Sequence, residues 1–313
     1  MRSIFYTIPF FALPLTAAAE PPRVVADIAP VHALVSMVME GVGEPTLLIP
    51  TSASPHGHSL RPSEADALQN ANLVFWIGEA LTPWMESSID TLAKDAKTIE
   101  LLSAYGLTLL EFREEAIFEN HDHEHEHEGA HHEDEHHHEG VDPHAWLAPE
   151  NAIIWLDLIA EELAEVDPEN APQYRQNATS GISIITLAST QIMKDLSNVQ
   201  DTPFIVFHDA YHYFEASFGV EALASVSVSD ATAPGPKRVQ ELRNLVEEAD
   251  IKCIFTEPQF DPRMAQTVIE GSDAQIGTLD PLGSGIDLGS SFYPELLNAM
   301  AQSMRDCLSA SES

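Results

Sequence analysis

Short, continuously apolar runs alternate with longer amphipathic ones along most of the chain. In the first third, RVVADIA (23–29), EPTLLIP (44–50), NLVFWIG (72–78) and KTIELL (97–102) have the length and apolar content of strands. Between them, PVHALVSMVME, SEADALQNA and TPWMESSIDTLA carry helical spacing. Pro30 opens the first of these helices. Ser63, with Asp66 three residues on, is the expected N-cap of the second. A strand that is apolar at every position must be covered on both faces, as in a parallel sheet. This alternation predicts an α/β domain with a mostly parallel sheet.

PENAIIWLDLIAEELAEV then predicts an amphipathic helix from Pro149. Another helical run extends from Pro168 to about Val199, roughly 30 residues or ~45 Å long. Gly181 is its one weak position. Such a length suits a strut between two lobes. The remainder repeats the first half's grammar without repeating its residues. PFIVFH, VEALASVSV, KCIFTEP and AQIGTLDP are the strands; AYHYFEASFG, PKRVQELRNLVEEA, PRMAQTVIEG and FYPELLNAMAQSMRDCL are the helices. The expected fold class is therefore α/β, with two lobes, each a mostly parallel sheet flanked by helices, joined by one long helix. The expected segments are a lobe over 20–166, the connecting helix over 167–199 and a second lobe over 200–313.

Two stretches depart from this pattern. Between about 114 and 140 the only apolar residues are Ala116, Ile117, Phe118 and Ala130. Too little surface can be buried there to offset the entropy of ordering, so a disordered loop is expected. That loop holds nine of the chain's fifteen histidines: His121, His123, His125, His127, His131, His132, His136, His137 and His138. The other stretch is the N-terminus. Arg2, a short apolar run from Ile4 to Leu15 and the small residues Ala17, Ala18 and Ala19 read as a signal peptide over 1–19. The run is too short to span a bilayer, and no later run approaches ~20 apolar residues, so no membrane insertion is expected. No Cys follows the cut to carry a lipid.

Charge narrows the function. Fourteen basic and fifty acidic residues give a formal net charge of −36. Such a chain lacks the basic face that nucleic acids require. An acidic surface concentrates cations, although it also serves plain solubility. Cys253 and Cys307 are the only cysteines. In an oxidising compartment an even pair favours a disulfide over two buried thiols. Closing that loop stabilises by ~4 kcal/mol on the chain-entropy view.

Outside the rich run stand His32, His56, His58, His144, His208 and His212. His56 and His58 lie in a Ser/Pro/Gly loop after a strand, His144 in DPHAWLAPE, and His208 at the end of FIVFH. Asp280, in GTLDPLG, ends the last strand. The carboxyl ends of parallel strands form the crevice where open α/β sheets bind ligands. Taken singly, a loop histidine is usually solvated and a strand-end one structural. Several at equivalent crevice positions point to a metal. His32 lies inside a helix, and His212 is spaced from His208 like a zincin pair but with Asp209 where the catalytic Glu would stand; both read as structural. Three imidazoles and one carboxylate suit zinc, copper or nickel better than manganese or magnesium. Four protein ligands would close a tetrahedral site, which favours binding over catalysis. No GxSxG, P-loop or GxGxxG occurs in a strand–helix context.

At these residues the chain resembles the periplasmic zinc-binding proteins of ABC importers, the ZnuA-like members of the metal-specific substrate-binding group. SPHGHSLRPSEADALQNANLVFWIG, HAWLAPENA, FHDAYHYFE and GTLDPLG carry the resemblance, which covers essentially residues 20–313. The His- and acid-rich insertion before HAWLAPENA is characteristic of the zinc-specific branch. The resemblance implies Zn2+ as the transported ligand, held by His56, His144 and His208, with Asp280 or a water completing the shell. Relatives that place a Glu directly before the first ligand differ from this chain, which has Pro55 there. Manganese-type relatives carry Glu where His208 stands. The resemblance also implies a Cys253–Cys307 disulfide, a periplasmic location and delivery to a membrane permease. A monomer is expected, with the His-rich loop as a low-affinity scavenging or sensing arm. The alternatives are a zinc hydrolase using Asp280 or Glu257 as base, a manganese-type binding protein, and a metal-binding adhesin.

Overall fold

The computed structural model describes residues 20–113, 117–118, 140–227 and 235–309. In chain order its strands are β1 (Val24–Ala26), β2 (Thr46–Leu47), β3 (Leu73–Trp76), β4 (Lys97–Glu100), β5 (Phe204–His208), β6 (Ala222–Ser227), β7 (Cys253–Thr256) and β8 (Gln275–Thr278). They form two four-stranded sheets, ordered β2-β1-β3-β4 and β6-β5-β7-β8. Every pairing is parallel. The central strands β1, β3, β5 and β7 are buried at every residue, which is why their sequences are continuous rather than alternating. Edge strand β2 is shorter than EPTLLIP suggested, because the chain turns away after Ile49 donates its N–H to the Asp27 carbonyl.

The helices are α1 (Ala29–Met39), α2 (Pro62–Asn70), α3 (Pro83–Leu92), α4 (Pro149–Val166), α5 (Ala171–Leu196), α6 (His212–Phe218), α7 (Pro236–Glu248), α8 (Arg263–Ile269) and α9 (Phe292–Ser309). Helix α2 does not start at Ser63 as expected. Pro62 takes its first position, and Glu64 reaches back to accept the N–H of Arg61 at 2.7 Å. Helix α5 begins at Ala171 rather than Pro168. Asp167 caps α4 instead, and its Oδ2 accepts from Asn170 Nδ2 at 2.7 Å and Tyr174 Oη at 2.8 Å, which holds the turn between the two helices. Gly181, the weak point of the long run, sits where α5 crosses α4: a β-carbon there would lie 3.0 Å from Leu156 Cδ1. The residue is small because the helices approach closely.

One apolar cluster runs through both lobes, from Val24 and Phe75 through Trp155 and Ile185 to Phe204, Phe255 and Phe292. Helices α1, α4, α5 and α9 pack together within it. A smaller cluster covers the other face of the second sheet beneath α7 and α8. Cys253, at the start of β7, and Cys307, in α9, form a disulfide with Cα atoms 6.1 Å apart. Within the segment expected to be disordered, Ile117 and Phe118 have a defined place. Ile117 bridges Ala224 on edge strand β6, and Phe118 donates its N–H to Leu223 O at 2.9 Å. They are two of the few apolar residues in that stretch. The nine histidines His121–His138 and the expected signal peptide lie outside the described residues. No helix among the described residues is long and apolar enough to cross a membrane.

Candidate metal centre

Parallel strands deliver side chains to one rim. His208 is the last residue of β5, Glu257 directly follows β7, and Asp280 follows β8 by two residues. His56 lies in a 3-10 turn, Pro55–Gly57, in the loop after β2. His144 immediately precedes another such turn, Ala145–Leu147, ahead of α4. The ligand atoms of His56, His144 and His208 all lie within 4.8 Å of one another, the only such group among the described residues. His144 and His208 are buried, and His56 is half-buried.

Two carboxylates orient two of the three rings. Asp142 Oδ1 accepts from His144 Nδ1 at 2.6 Å and from the His144 backbone N–H at 2.9 Å. Glu257 Oε1 accepts from His208 Nδ1 at 2.5 Å. A carboxylate can only accept, so each Nδ1 carries the proton and each Nε2 is left with its lone pair. The loop that holds His56 is fixed differently. Trp84 Nε1 donates to Pro55 O at 2.8 Å, and His58 turns aside to Glu64 Oε2 at 2.9 Å and to the Trp84 ring. Burial raises the Glu64 carboxyl, but the Arg61 N–H and the His58 ring lower it further, so it stays below its ordinary range.

Asp280, expected as the fourth ligand, is not in the group. Its Oδ1 accepts from Gln259 Nε2, Leu282 N–H and Gly283 N–H, each at 3.0 Å. Its Oδ2 accepts from the Ser284 N–H and hydroxyl, each at 2.5 Å. The loop PLGS wraps its donors around this carboxylate, which spends it on holding the loop. His32 Nε2 lies 3.1 Å from Pro45 O, inside α1, and His212 opens α6; neither joins the trio. Beside the three rings is a cavity of about 20 Å³, also lined by Trp146, Glu257, Gln259 and Phe260. Such a space holds about one water-sized species.

A family model described as the periplasmic component A of the zinc-uptake complex, ZnuA, matches residues 24–307. The chain belongs to the ZnuA family. The high-affinity zinc uptake system protein ZnuA of Brucella suis biovar 1 is 41% identical over 330 residues, covering 99% of this chain and 99% of that protein. The protein of the same description from Paracoccus denitrificans is 40% identical over 311 residues, covering 95% and 94%. A solved structure described as ZnuA shares the fold, with a TM-score of 0.76 at 22% identity over 92% of this chain and 99% of that one.

In this ZnuA-family chain, sequence reasoning singled out the three histidines but not their orienting carboxylates. Asp142 carried a signal, standing two residues before His144 in DPHAWLAPE. Glu257 carries one too, at a strand's carboxyl end, where the hydrolase alternative makes it a base. In the structure its Oε1 accepts from His208 Nδ1. Removing such a partner typically weakens metal binding 10–100-fold. Asp142→Asn and Glu257→Gln are each expected to raise the zinc Kd by ~10–100-fold while leaving one ion bound, as read by competition with a chromophoric chelator.

Proposed function

We propose that this protein captures a single Zn2+ in the periplasm through Nε2 of His144 and His208 and one ring nitrogen of His56, and passes it to an ABC permease. The observation that carries the reading is the convergence of three imidazoles, two of them with Nδ1 engaged by a buried carboxylate. Three neutral nitrogens suit zinc and disfavour manganese, which prefers oxygen. Preorganised rings lose little entropy when the ion arrives, so the site is a tight one.

His56 and His144 belong to the half of the chain before α5, and His208 to the half after it. A shared ion therefore favours the closed arrangement of the lobes by its differential affinity. Side chains already cross between the halves: Trp146 Nε1 donates to Pro281 O at 2.9 Å, and Tyr293 Oη donates to Trp146 O at 2.6 Å. With an apolar core common to both lobes, loading and release proceed by small rocking and loop movement rather than wide opening.

The His-rich run is read as an accessory arm that binds further ions weakly, because each ion must order several residues. The chain is read as an exported monomer cleaved after Ala19, and the disulfide accords with an oxidising compartment. It is read as a binder rather than a hydrolase. Glu257 and Asp280, the two candidate bases, are engaged by His208 and by the donors of a loop.

The test is calorimetry on the full chain and on a variant lacking 119–139. Both are expected to keep one tight zinc, and only the full chain to bind more. Loss of the tight ion with the segment would overturn the division of labour. Ligation also requires neutral imidazole, so protons compete with zinc. Free imidazole titrates near ~6.5, so affinity is expected to fall steeply as pH drops from about 7 to 5. A Kd that stays constant across that range contradicts a three-histidine site.

A further inference from the structure

Gln259 lies between β7 and α8 and lines the same cavity as the three histidines. Its amide is held at both ends of a span between the lobes. Nε2 donates to Thr51 O at 3.1 Å, in the loop that leads to His56, and to Asp280 Oδ1 at 3.0 Å. A carbonyl and a carboxylate both only accept, so the amide nitrogen must face them and the amide cannot be flipped. Oε1 is thereby directed away from them. It is buried and has no hydrogen-bond partner among the described residues.

A buried acceptor left without a donor costs ~1–3 kcal/mol. His144 and His208 cannot supply that donor, since their protons go to Asp142 and Glu257 and their other nitrogens are acceptors. Three imidazole nitrogens leave one position of a tetrahedral zinc, and both oxygens of Asp280 are engaged elsewhere. A water on that position is polarised by the ion and becomes a strong donor.

We propose that Gln259 is a positioning residue for zinc binding: its Oε1 accepts the hydrogen bond of a water that fills the fourth place on the ion. Asp280 then acts through Gln259, by fixing the amide, rather than as a ligand. The bond to Thr51 makes this acceptor complete only when the two lobes are together, which links closure to the finished coordination shell. The inference rests on the three-histidine reading given above.

The test uses the protein loaded with Co2+, whose visible bands report coordination. Wild type is expected to show a four-coordinate spectrum. Azide has no proton to offer Oε1, so it replaces the held water poorly. In Gln259→Met the water loses its acceptor, and azide is expected to bind about 10-fold more tightly, while zinc affinity falls ~10–100-fold. A purely structural loss would weaken the metal without favouring azide. Unchanged azide affinity in a variant that still gives the four-coordinate spectrum overturns the role of Gln259. A wild-type spectrum that is not four-coordinate overturns the three-histidine reading itself. A crystal structure of the zinc-loaded wild type decides the matter without any variant. A zinc-bound water within ~2.6–3.2 Å of Gln259 Oε1 supports the proposal. Asp280 or Gln259 itself on the metal contradicts it.

Discussion

Replacing His208 with Ala is expected to weaken tight zinc binding by roughly 100- to 1,000-fold. A protein zinc site of four ligands is worth ~10–16 kcal/mol, so one bond represents ~2.5–4 kcal/mol. The same change leaves Glu257, buried and 2.5 Å from the lost Nδ1, without its partner. The measurement is a competition titration on protein lacking 119–139, so that ions on the arm do not mask the loss. His58→Ala is the control. That ring bonds Glu64 and contacts Trp84, so its removal is expected to change the Kd by less than about 10-fold, the lower bound for a partner that orients a ligand. Equal losses in the two variants would mean that the loop, not the identity of the ligand, sets the affinity.

The second large effect lies beyond the ligands, at Arg113. Its guanidinium donates to Asp209 from Nε at 3.0 and 2.9 Å, and to Glu215 from Nη1 at 2.8 Å and Nη2 at 3.1 Å; Nη2 also pairs with Asp209. The Phe118 ring covers it at 3.6 Å. Burial alone would lower the Arg113 pKa, but Glu215 and Asp209 outweigh it and raise it. Burial pushes the Glu215 carboxyl up, against the pull of Arg113. Arg113→Met strands two carboxylates in the interior, and breaking a buried pair in this way costs ~3–5 kcal/mol. Chemical denaturation is expected to show that loss. Adding Glu215→Gln is expected to recover part of it, because one stranded charge is removed. A single variant as stable as the wild type would show that Arg113 contributes no net stabilisation. Asp209 adjoins His208, so a smaller loss of zinc affinity should accompany the unfolding effect.

The elements that sequence reasoning located best are those with the strongest one-dimensional signal. FIVFH and NLVFWIG are buried at every strand position, and short continuous apolar runs of this length suit a parallel strand covered on both faces. The three converging histidines stand out because strand ends and Pro/Gly loops are where polar residues must face a crevice. What escaped is what depends on a partner distant in the chain. The spacing of Ser63 and Asp66 predicts an N-cap at Ser63 for α2, but Pro62 and Glu64, which reaches back to Arg61, decide it. Asp280 is an expected ligand, with a water as the alternative, because it follows a strand at the crevice end. Only the fold reveals that the five donors around it come from its own loop and from Gln259. Ile117 and Phe118 sat in a polar stretch, and their place depends on β6, more than one hundred residues onward. Arg113 and Asp209 are 96 residues apart, and neither carries a local signature.

On the reading proposed above, three imidazoles contributed from both sides of α5 grip one ion. Anomalous diffraction at the zinc edge, from crystals of the 119–139 deletion loaded with one equivalent, tests it most directly. The expected result is a single peak ~2.0–2.1 Å from Nε2 of His144 and His208 and from one ring nitrogen of His56. A peak elsewhere, or an ion in the crevice that leaves any of those three rings unbonded, contradicts it.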